Sequence, residues 1–100
     1  MVDILWTEAA KDDLLEFVDY LSDEKPQAAR DFVDTLEHIT ETLSEFPQIG
    51  HSLEAVLPVR QVLVGSARLI YIEHESHITI IACVHQARDC QSLLRNRARR

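Results

Sequence analysis

The hydrophobic pattern of this 100-residue chain changes its period once, near residue 58. Before that point, most apolar residues recur at the spacing of an amphipathic helix. After it, they alternate with polar residues or form short runs bounded by Gly-Ser and Glu-Ser-His, which is typical of β-strands joined by tight turns. A helical half followed by a β half predicts an α+β domain, with the helices packed on one sheet.

Two helices are predicted in the first half. Thr7 suits the cap of the first helix, because its hydroxyl can accept a hydrogen bond from an unpaired N–H group of the first turn. Glu8 suits that turn, because its negative charge is stabilised by the N-terminal end of the helix dipole. Pro26 suits the first turn of the second helix, which Pro47 and Gly50 end. The apolar stripes are Ala10, Leu14, Phe17, Val18 and Leu21 in the first helix, and Ala29, Phe32, Val33, Leu36, Ile39, Leu43 and Phe46 in the second. A connection of about four to six residues predicts an antiparallel helical hairpin.

The β half contains three consecutive strand patterns, over residues 59–64, 67–74 and 78–85. Short turns join them, so they are expected to form an antiparallel meander. The run 78–85 is apolar on both faces, and such a strand belongs in the interior of a sheet that is covered on both sides.

The remaining segments complete a single domain over residues 1–100. Residues 2–6 alternate, which predicts a short strand that joins the sheet. Residues 47–58 are expected to be a loop. The chain end is expected to make one turn around Leu93 and Leu94, followed by a basic tail. The predicted order is β-α-α-β-β-β, with the helical hairpin packed on an antiparallel sheet.

The net charge of −7 is unevenly distributed. Residues 1–58 carry 14 acidic and 3 basic side chains, whereas residues 59–100 carry 3 acidic side chains and 7 arginines. The overall acidity argues against tight nonspecific binding to nucleic acid, because attraction to phosphates dominates that affinity. It leaves room for a small, local basic surface.

Composition also bears on compartment and cofactors. The start MVDILWTEAA lacks the basic stretch and apolar core of a signal peptide, and no apolar run could span a membrane, so we expect a cytoplasmic protein. A disulfide between Cys83 and Cys90 is not expected in a reducing compartment. With 2 glycines the chain has no Gly-rich phosphate loop, and neither His74 with His77 nor Cys83, His85 and Cys90 match a zinc pattern. We therefore expect no cofactor and no metal.

Six segments carry a resemblance that covers nearly the whole chain. They are WTEAAKDDL in the first helix, AARDFVDTL in the second, LSEFPQIG at its end, and then VRQVLV, ARLIY and ITIIACVHQARD. In this order and spacing they resemble the RelE/ParE superfamily of toxins from bacterial type II toxin–antitoxin pairs, most closely the ParE branch. The resemblance implies a cognate, ParD-like antitoxin whose disordered C-terminal part folds over the toxin. Promoter DNA would be contacted only indirectly, through the antitoxin.

The two branches of this superfamily imply different targets. ParE-like members bind DNA gyrase and trap its cleaved-DNA complex, whereas RelE-like members cleave messenger RNA on the ribosome. The resemblance to the ParE branch favours a gyrase inhibitor without enzymatic activity. The alternatives are a RelE-like, metal-independent endoribonuclease and an inactive binding module of the same fold.

Catalysis of RNA cleavage would require a proton-transfer group and cations at the scissile phosphate. His85 titrates in a suitable range, and Arg60, Arg68 and Arg88 could contact phosphate. Against this, residues 59–100 contain no lysine and no tyrosine follows His85. The family often carries an aromatic residue where Ala67 stands. No catalytic residue is therefore favoured, and His85 is expected to be a structural residue at the end of a strand.

Target binding is expected to involve arginines. If Arg60 and Arg68 point to the same face of the sheet, they form a positive patch beside the end of the last strand. The predicted target-binding residues are Arg60, Arg68, Arg88, Arg95, Arg97, Arg99 and Arg100. An antitoxin segment with basic residues and apolar anchors could lie against the acidic helical hairpin or along the sheet edge, and the sequence leaves both locations open.

Overall fold

The computed structural model describes residues 1–53 and 58–86, which form two helices packed on a five-stranded sheet. The elements are β1 (Asp3–Trp6), α1 (Glu8–Glu24), α2 (Pro26–Glu45), β2 (His51–Ser52), β3 (Val59–Val64), β4 (Ala67–Glu73) and β5 (His77–His85). The predicted α+β class and order are confirmed, with β2 as an additional strand. The turn predicted around Leu93 and Leu94 and the basic tail lie outside the described residues. Neither helix in the described part of the chain is long and apolar enough to cross a membrane.

The ends of the helices follow from local chemistry. Thr7 caps α1 as predicted, since the Ala10 N–H donates to its Oγ1 at 3.1 Å. The predicted connection of about four to six residues is wrong, because Lys25 alone separates the helices. Pro26 restricts the preceding residue to an extended conformation, and Lys25 has φ −166° and ψ 119°. The Lys25 N–H closes α1 by donating to the Leu21 carbonyl at 2.8 Å, so one residue both ends α1 and starts α2.

The strands lie in the order β1-β5-β4-β3-β2. The predicted meander of β3, β4 and β5 is antiparallel, as expected, and β2 pairs antiparallel with β3. β1 joins the sheet, but parallel to β5, with Ile4 opposite Ile78, so the complete sheet is mixed. The sequence did not predict β2 because two residues are too few to display an alternating pattern.

The pairing of β4 with β5 is irregular at one point. Ile70 lies opposite Ala82 and Tyr71 lies opposite Ile80, so Ile81 is an extra residue in β5. This β-bulge changes the alternation of side chains along β5. Consequently Ile80 and Cys83, which are three residues apart, both belong to the core beneath the helices.

Apolar residues are buried on both faces of the sheet. On the face covered by α1 and α2, here called the helix face, Phe17 and Phe32 join the helices edge to face at a centroid distance of 4.9 Å. Completely buried residues on this side are Ala10, Leu43, Val64, Ala67, Leu69, Tyr71, Ile78 and Ile80. On the other side, here called the opposite face, the buried residues are Val59, Ile70, Ile81 and Ala82.

Candidate functional site

Arg60 is bound within the protein at the start of β3. It lies across from Tyr71, so it belongs to the helix face. Its Nε donates to Glu73 Oε1 at 3.1 Å, and its Nη1 donates to the Gly50 carbonyl at 2.9 Å. The Arg60 and Glu73 side chains are only 26% and 22% exposed, and Gln48 donates to the second Glu73 oxygen at 3.0 Å. Arg60 thus attaches the loop of residues 46–50 to the sheet.

Tyr71 holds the same loop from the core. Its hydroxyl donates to the Pro47 carbonyl at 2.8 Å and accepts the Gly50 N–H at 3.0 Å. Burial, the largest influence, raises the pKa of Tyr71, so the hydroxyl keeps the proton that it donates. A Cβ on Gly50 would lie 2.6 Å from the Tyr71 Oη and 2.7 Å from the Gln61 carbonyl oxygen. Glycine is therefore required here, and the segment PQIG has a structural role.

Arg68 points away from the helices. It lies across from Leu63 and shares the opposite face with Ile70. Its Nε donates to the Gln86 carbonyl at 3.1 Å, and its Nη1 donates to Gln61 Oε1 at 2.9 Å. The half-buried guanidinium borders a groove of about 380 Å³, here called the opposite-face groove. Its other lining residues are Ile49, His51, Gln61, Val62, Leu63 and Gln86.

His85 ends β5 on the helix face, where it pairs with Ala67. It is exposed, and its ring lies 6.3 Å from the Phe17 ring and 6.4 Å from the Tyr20 ring, measured between centroids. His85 and Arg68 therefore belong to different faces, and so do Arg60 and Arg68. The condition for a shared positive patch is not met. The three described candidates for a ribonuclease do not converge on one point.

The other predicted site residues lie in residues 87–100, outside the described part of the chain. They are Arg88, Arg95, Arg97, Arg99 and Arg100. Their role in target binding stays a prediction, as does that of Arg60 and Arg68.

Next to His85, α1 and β5 border a groove of about 430 Å³. This α1/β5 groove is lined by Asp13, Glu16, Phe17, Tyr20, Cys83, Val84 and His85. Asp13 Oδ2 accepts the backbone N–H of Cys83 at 3.2 Å, which joins the helix to the strand. The sequence did not reveal this groove, because helical spacing places Asp13, Glu16 and Tyr20 on one face but does not say which strand adjoins it.

Cys83 forms the floor of the α1/β5 groove and is 2% exposed. Burial, with a smaller contribution from the negative charge of Asp13, raises the pKa of its thiol to about 12. The thiol is therefore neutral at physiological pH. The character of the groove is set by its two carboxylates and its three rings.

The histidine pair considered for metal binding lies at the turn between β4 and β5. The His74 and His77 rings stack with their centroids 4.2 Å apart. Within residues 1–53 and 58–86, no group of three or more potential metal ligands is present.

Comparison with known proteins decides the family. A family model described as the ParE toxin of type II toxin–antitoxin systems (parDE) matches residues 4–90. The chain belongs to this ParE toxin family. Membership of the RelE/ParE superfamily, in the ParE branch, is thereby confirmed. Among curated proteins, none matches this ParE-family chain significantly.

Solved structures share the fold of this ParE-family toxin. A chain in the structure of the chromosomal ParDE system from P. aeruginosa is 19% identical to this one, with a TM-score of 0.70. The match covers 85% of this chain and 96% of that chain. A YoeB/ParE toxin from Agrobacterium tumefaciens is 13% identical, with a TM-score of 0.60 and coverages of 84% and 98%. The YoeB–YefM complex from Staphylococcus aureus is 15% identical, with a TM-score of 0.58 and coverages of 85% and 97%. At these identities the likeness concerns the fold alone.

Proposed function

We propose that this ParE-family chain is a toxin that binds DNA gyrase and traps its cleaved-DNA complex, and that a cognate ParD-like antitoxin neutralises it. The observation that carries the proposal is the match of the ParE model to residues 4–90. The solved complex of a similarly folded YoeB with YefM supports a protein partner for a chain of this fold.

The placement of the charged residues favours binding over catalysis. RNA cleavage needs a proton-transfer group and phosphate-binding cations around one scissile bond, within hydrogen-bond reach of it. Arg60 is engaged by Glu73 and by the loop of residues 46–50, while Arg68 and His85 lie on different faces of the sheet. This arrangement argues against the RelE-like ribonuclease and supports a toxin that acts by occupying its target.

We assign Arg68 as the target-binding arginine that the described geometry favours most. Gln61 and the Gln86 carbonyl hold its guanidinium in place, so little side-chain entropy is lost on binding. Beside it, Leu63 is 53% exposed and Ile49 is 45% exposed. Arginine is one of the residue types that are enriched at the energetic centre of protein interfaces. Arg88 and the arginines of the tail extend this proposal, and Arg60 contributes by holding the loop.

The proposal is tested by a paired assay on one purified sample. One half is added to gyrase from the source species with supercoiled plasmid and ATP, and cleaved plasmid is scored. The other half is added to translating ribosomes, and cut messenger RNA is scored. We expect cleaved plasmid and intact messenger. Arg68→Met is expected to weaken gyrase inhibition at least about tenfold in a protein that still unfolds cooperatively, whereas Arg30→Met on the outer surface of α2 leaves inhibition unchanged.

Other outcomes of the paired assay select the alternatives. Cut messenger with normal gyrase activity contradicts the proposal and favours the ribonuclease, in which case His85→Ala should abolish cutting. Under the gyrase proposal, His85→Ala keeps most of the toxicity. A folded protein that affects neither target is an inactive binding module.

A further inference from the structure

The α1/β5 groove is a partly enclosed space that the proposed gyrase-binding role does not use. Its volume of about 430 Å³ is in the range of sites that receive a side chain or a small ligand. Phe17 and Cys83 make the floor apolar, because both are nearly completely buried. Tyr20 is 49% exposed and forms an open wall. An occupant can therefore bury apolar atoms at the floor and still reach solvent.

The wall of the groove is aromatic. The Tyr20 ring lies 6.1 Å from the Phe17 ring and 6.4 Å from the His85 ring, the latter pair edge to face at 88°. The Tyr20 ring thus has an aromatic neighbour on each of two sides. An exposed tyrosine face attracts a cation, and a planar guanidinium stacks on it better than an ammonium does.

The rim of the groove is negative. Asp13 and Glu16 are three residues apart on one side of α1, and Glu16 is four residues before Tyr20, so all three lie along one strip of the helix. Among the residues that the structure describes, neither lysine nor arginine lines the groove. Because the rings and floor exclude water from one side, a cation placed here gains more from the carboxylates than it would on an open surface.

We propose that the α1/β5 groove receives an arginine side chain of the antitoxin. The stem of the arginine would cover Phe17, and its guanidinium would stack on Tyr20 and pair with Glu16. The antitoxin is the occupant because the acidic half of the toxin, with 14 acidic and 3 basic side chains, attracts a basic segment. This inference rests on the proposed function for the existence of that partner, and it selects the α1/β5 groove among the locations that the sequence left open.

The site itself is tested with a small probe that requires no partner. N-acetylarginine N-methylamide is titrated into the full-length, ¹⁵N-labelled toxin, with the neutral isostere N-acetylcitrulline N-methylamide as the control. We expect the arginine probe to shift the amide signals of the groove residues, and citrulline to bind at least about tenfold more weakly. Glu16→Gln is expected to weaken the arginine probe about tenfold. Asp12→Asn removes the same charge outside the groove and is expected to change binding less than about twofold.

The occupant is tested with the purified cognate antitoxin. Its addition should abolish the shifts caused by the arginine probe. The double variant Glu16→Gln, Tyr20→Leu should bind the antitoxin about a hundredfold more weakly by calorimetry, with its Tm retained, whereas Asp12→Asn should bind it normally. Neither readout involves gyrase or ribosomes. Failure of the gyrase assay is therefore distinguishable from failure of this inference.

Three results would overturn the inference. Equal binding of the arginine and citrulline probes would mean that the groove does not select a cation. Binding of the probe only after deletion of residues 95–100 would identify the chain's own arginines as the occupant. Normal antitoxin affinity in the double variant would place the antitoxin elsewhere on the toxin.

Discussion

The two ends of the helix face use polar residues in opposite ways. At the end near Tyr71, the charged and polar groups bind one another: Arg60 pairs with Glu73, and Tyr71 bridges Pro47 and Gly50. At the end near His85, carboxylates and rings surround an open groove of about 430 Å³. The first end stabilises the fold, and the second has the composition of a binding site.

This contrast shows that charge alone does not identify a functional residue. Arg60 is a candidate for phosphate contact by sequence, yet its guanidinium donates hydrogen bonds to Glu73 and to backbone carbonyls of the protein itself. Glu16 and Tyr20 had the pattern of ordinary helix surface, yet they line a groove. The two cases differ in their surroundings: Arg60 is hydrogen-bonded to Glu73 and to a backbone carbonyl, whereas Glu16 and Tyr20 border a groove.

The largest effect is expected at the open end, where the reactivity of Cys83 tests whether reagents reach the floor of the α1/β5 groove. The pKa of Cys83 is raised from 9.0 to about 12, so its thiolate population at pH 8 is expected to be about a thousandfold below that of an ordinary cysteine. In a Cys90→Ser background, the folded protein should react with iodoacetamide about a thousandfold more slowly than the protein unfolded in guanidinium. Folded and unfolded rates within tenfold of each other would mean that the floor of the groove is open.

The next largest effect is expected at the closed end. Gly50→Ala places a methyl group 2.6 Å from the Tyr71 Oη and should reduce the free energy of unfolding by about 1–3 kcal/mol in urea titrations. Tyr71→Phe should cost a similar amount, because the buried Gly50 N–H loses its acceptor.

The two substitutions should also be coupled. In the Tyr71→Phe background, Gly50→Ala should cost less than it does alone, since the nearest clashing atom is absent. Gly65→Asn is the control: Gly65 has a φ of 59°, which asparagine tolerates, and its nearest neighbour lies at 3.9 Å. Full additivity of the first two changes would contradict the role of the Tyr71 hydroxyl and would assign the clash to the Gln61 carbonyl oxygen and the Tyr71 ring, which lie 2.7 Å and 2.9 Å from the added Cβ.

The smallest expected effect, that of a substitution at Glu16, is best measured within a matched pair of charge removals. Arg60→Met leaves the mostly buried Glu73 carboxylate without its cation and should reduce the free energy of unfolding by about 1–3 kcal/mol. Glu16→Gln at the open end should change it by less than about 0.5 kcal/mol, since Glu16 is exposed. Thermal unfolding of both variants measures the difference, and the opposite ranking would refute the division into a closed and an open end.

The strong periodic segments of the sequence predicted most of the fold. Thr7 as the cap of α1, the turn at residues 65–66 and the order of the meander follow from local chemistry and from alternation. Two features had no local signal. One is the two-residue strand β2, and the other is the parallel direction of β1, which depends on how β5, far along the chain, is placed beside it.

The candidate site was less predictable because it depends on contacts between distant segments. His85 was identified as the end of a strand, but the groove beside it exists only because α1 lies against β5, as the hydrogen bond from Cys83 to Asp13 records. The assignment of Arg60 and Arg68 to different faces likewise depends on strand register. Such pairings are not encoded in the spacing of residues along one segment.

The extra residue at Ile81 has a consequence for how this surface could change over generations. Removal of its single codon would restore regular pairing with β4, because Ile80 would stay opposite Tyr71 and Ala82 would stay opposite Ile70. Cys83 and His85 would keep their places in the α1/β5 groove, and Val84 would still point away from the helices. This residue could therefore be gained or lost over generations without a change in the side chains that this side of the toxin presents to a partner.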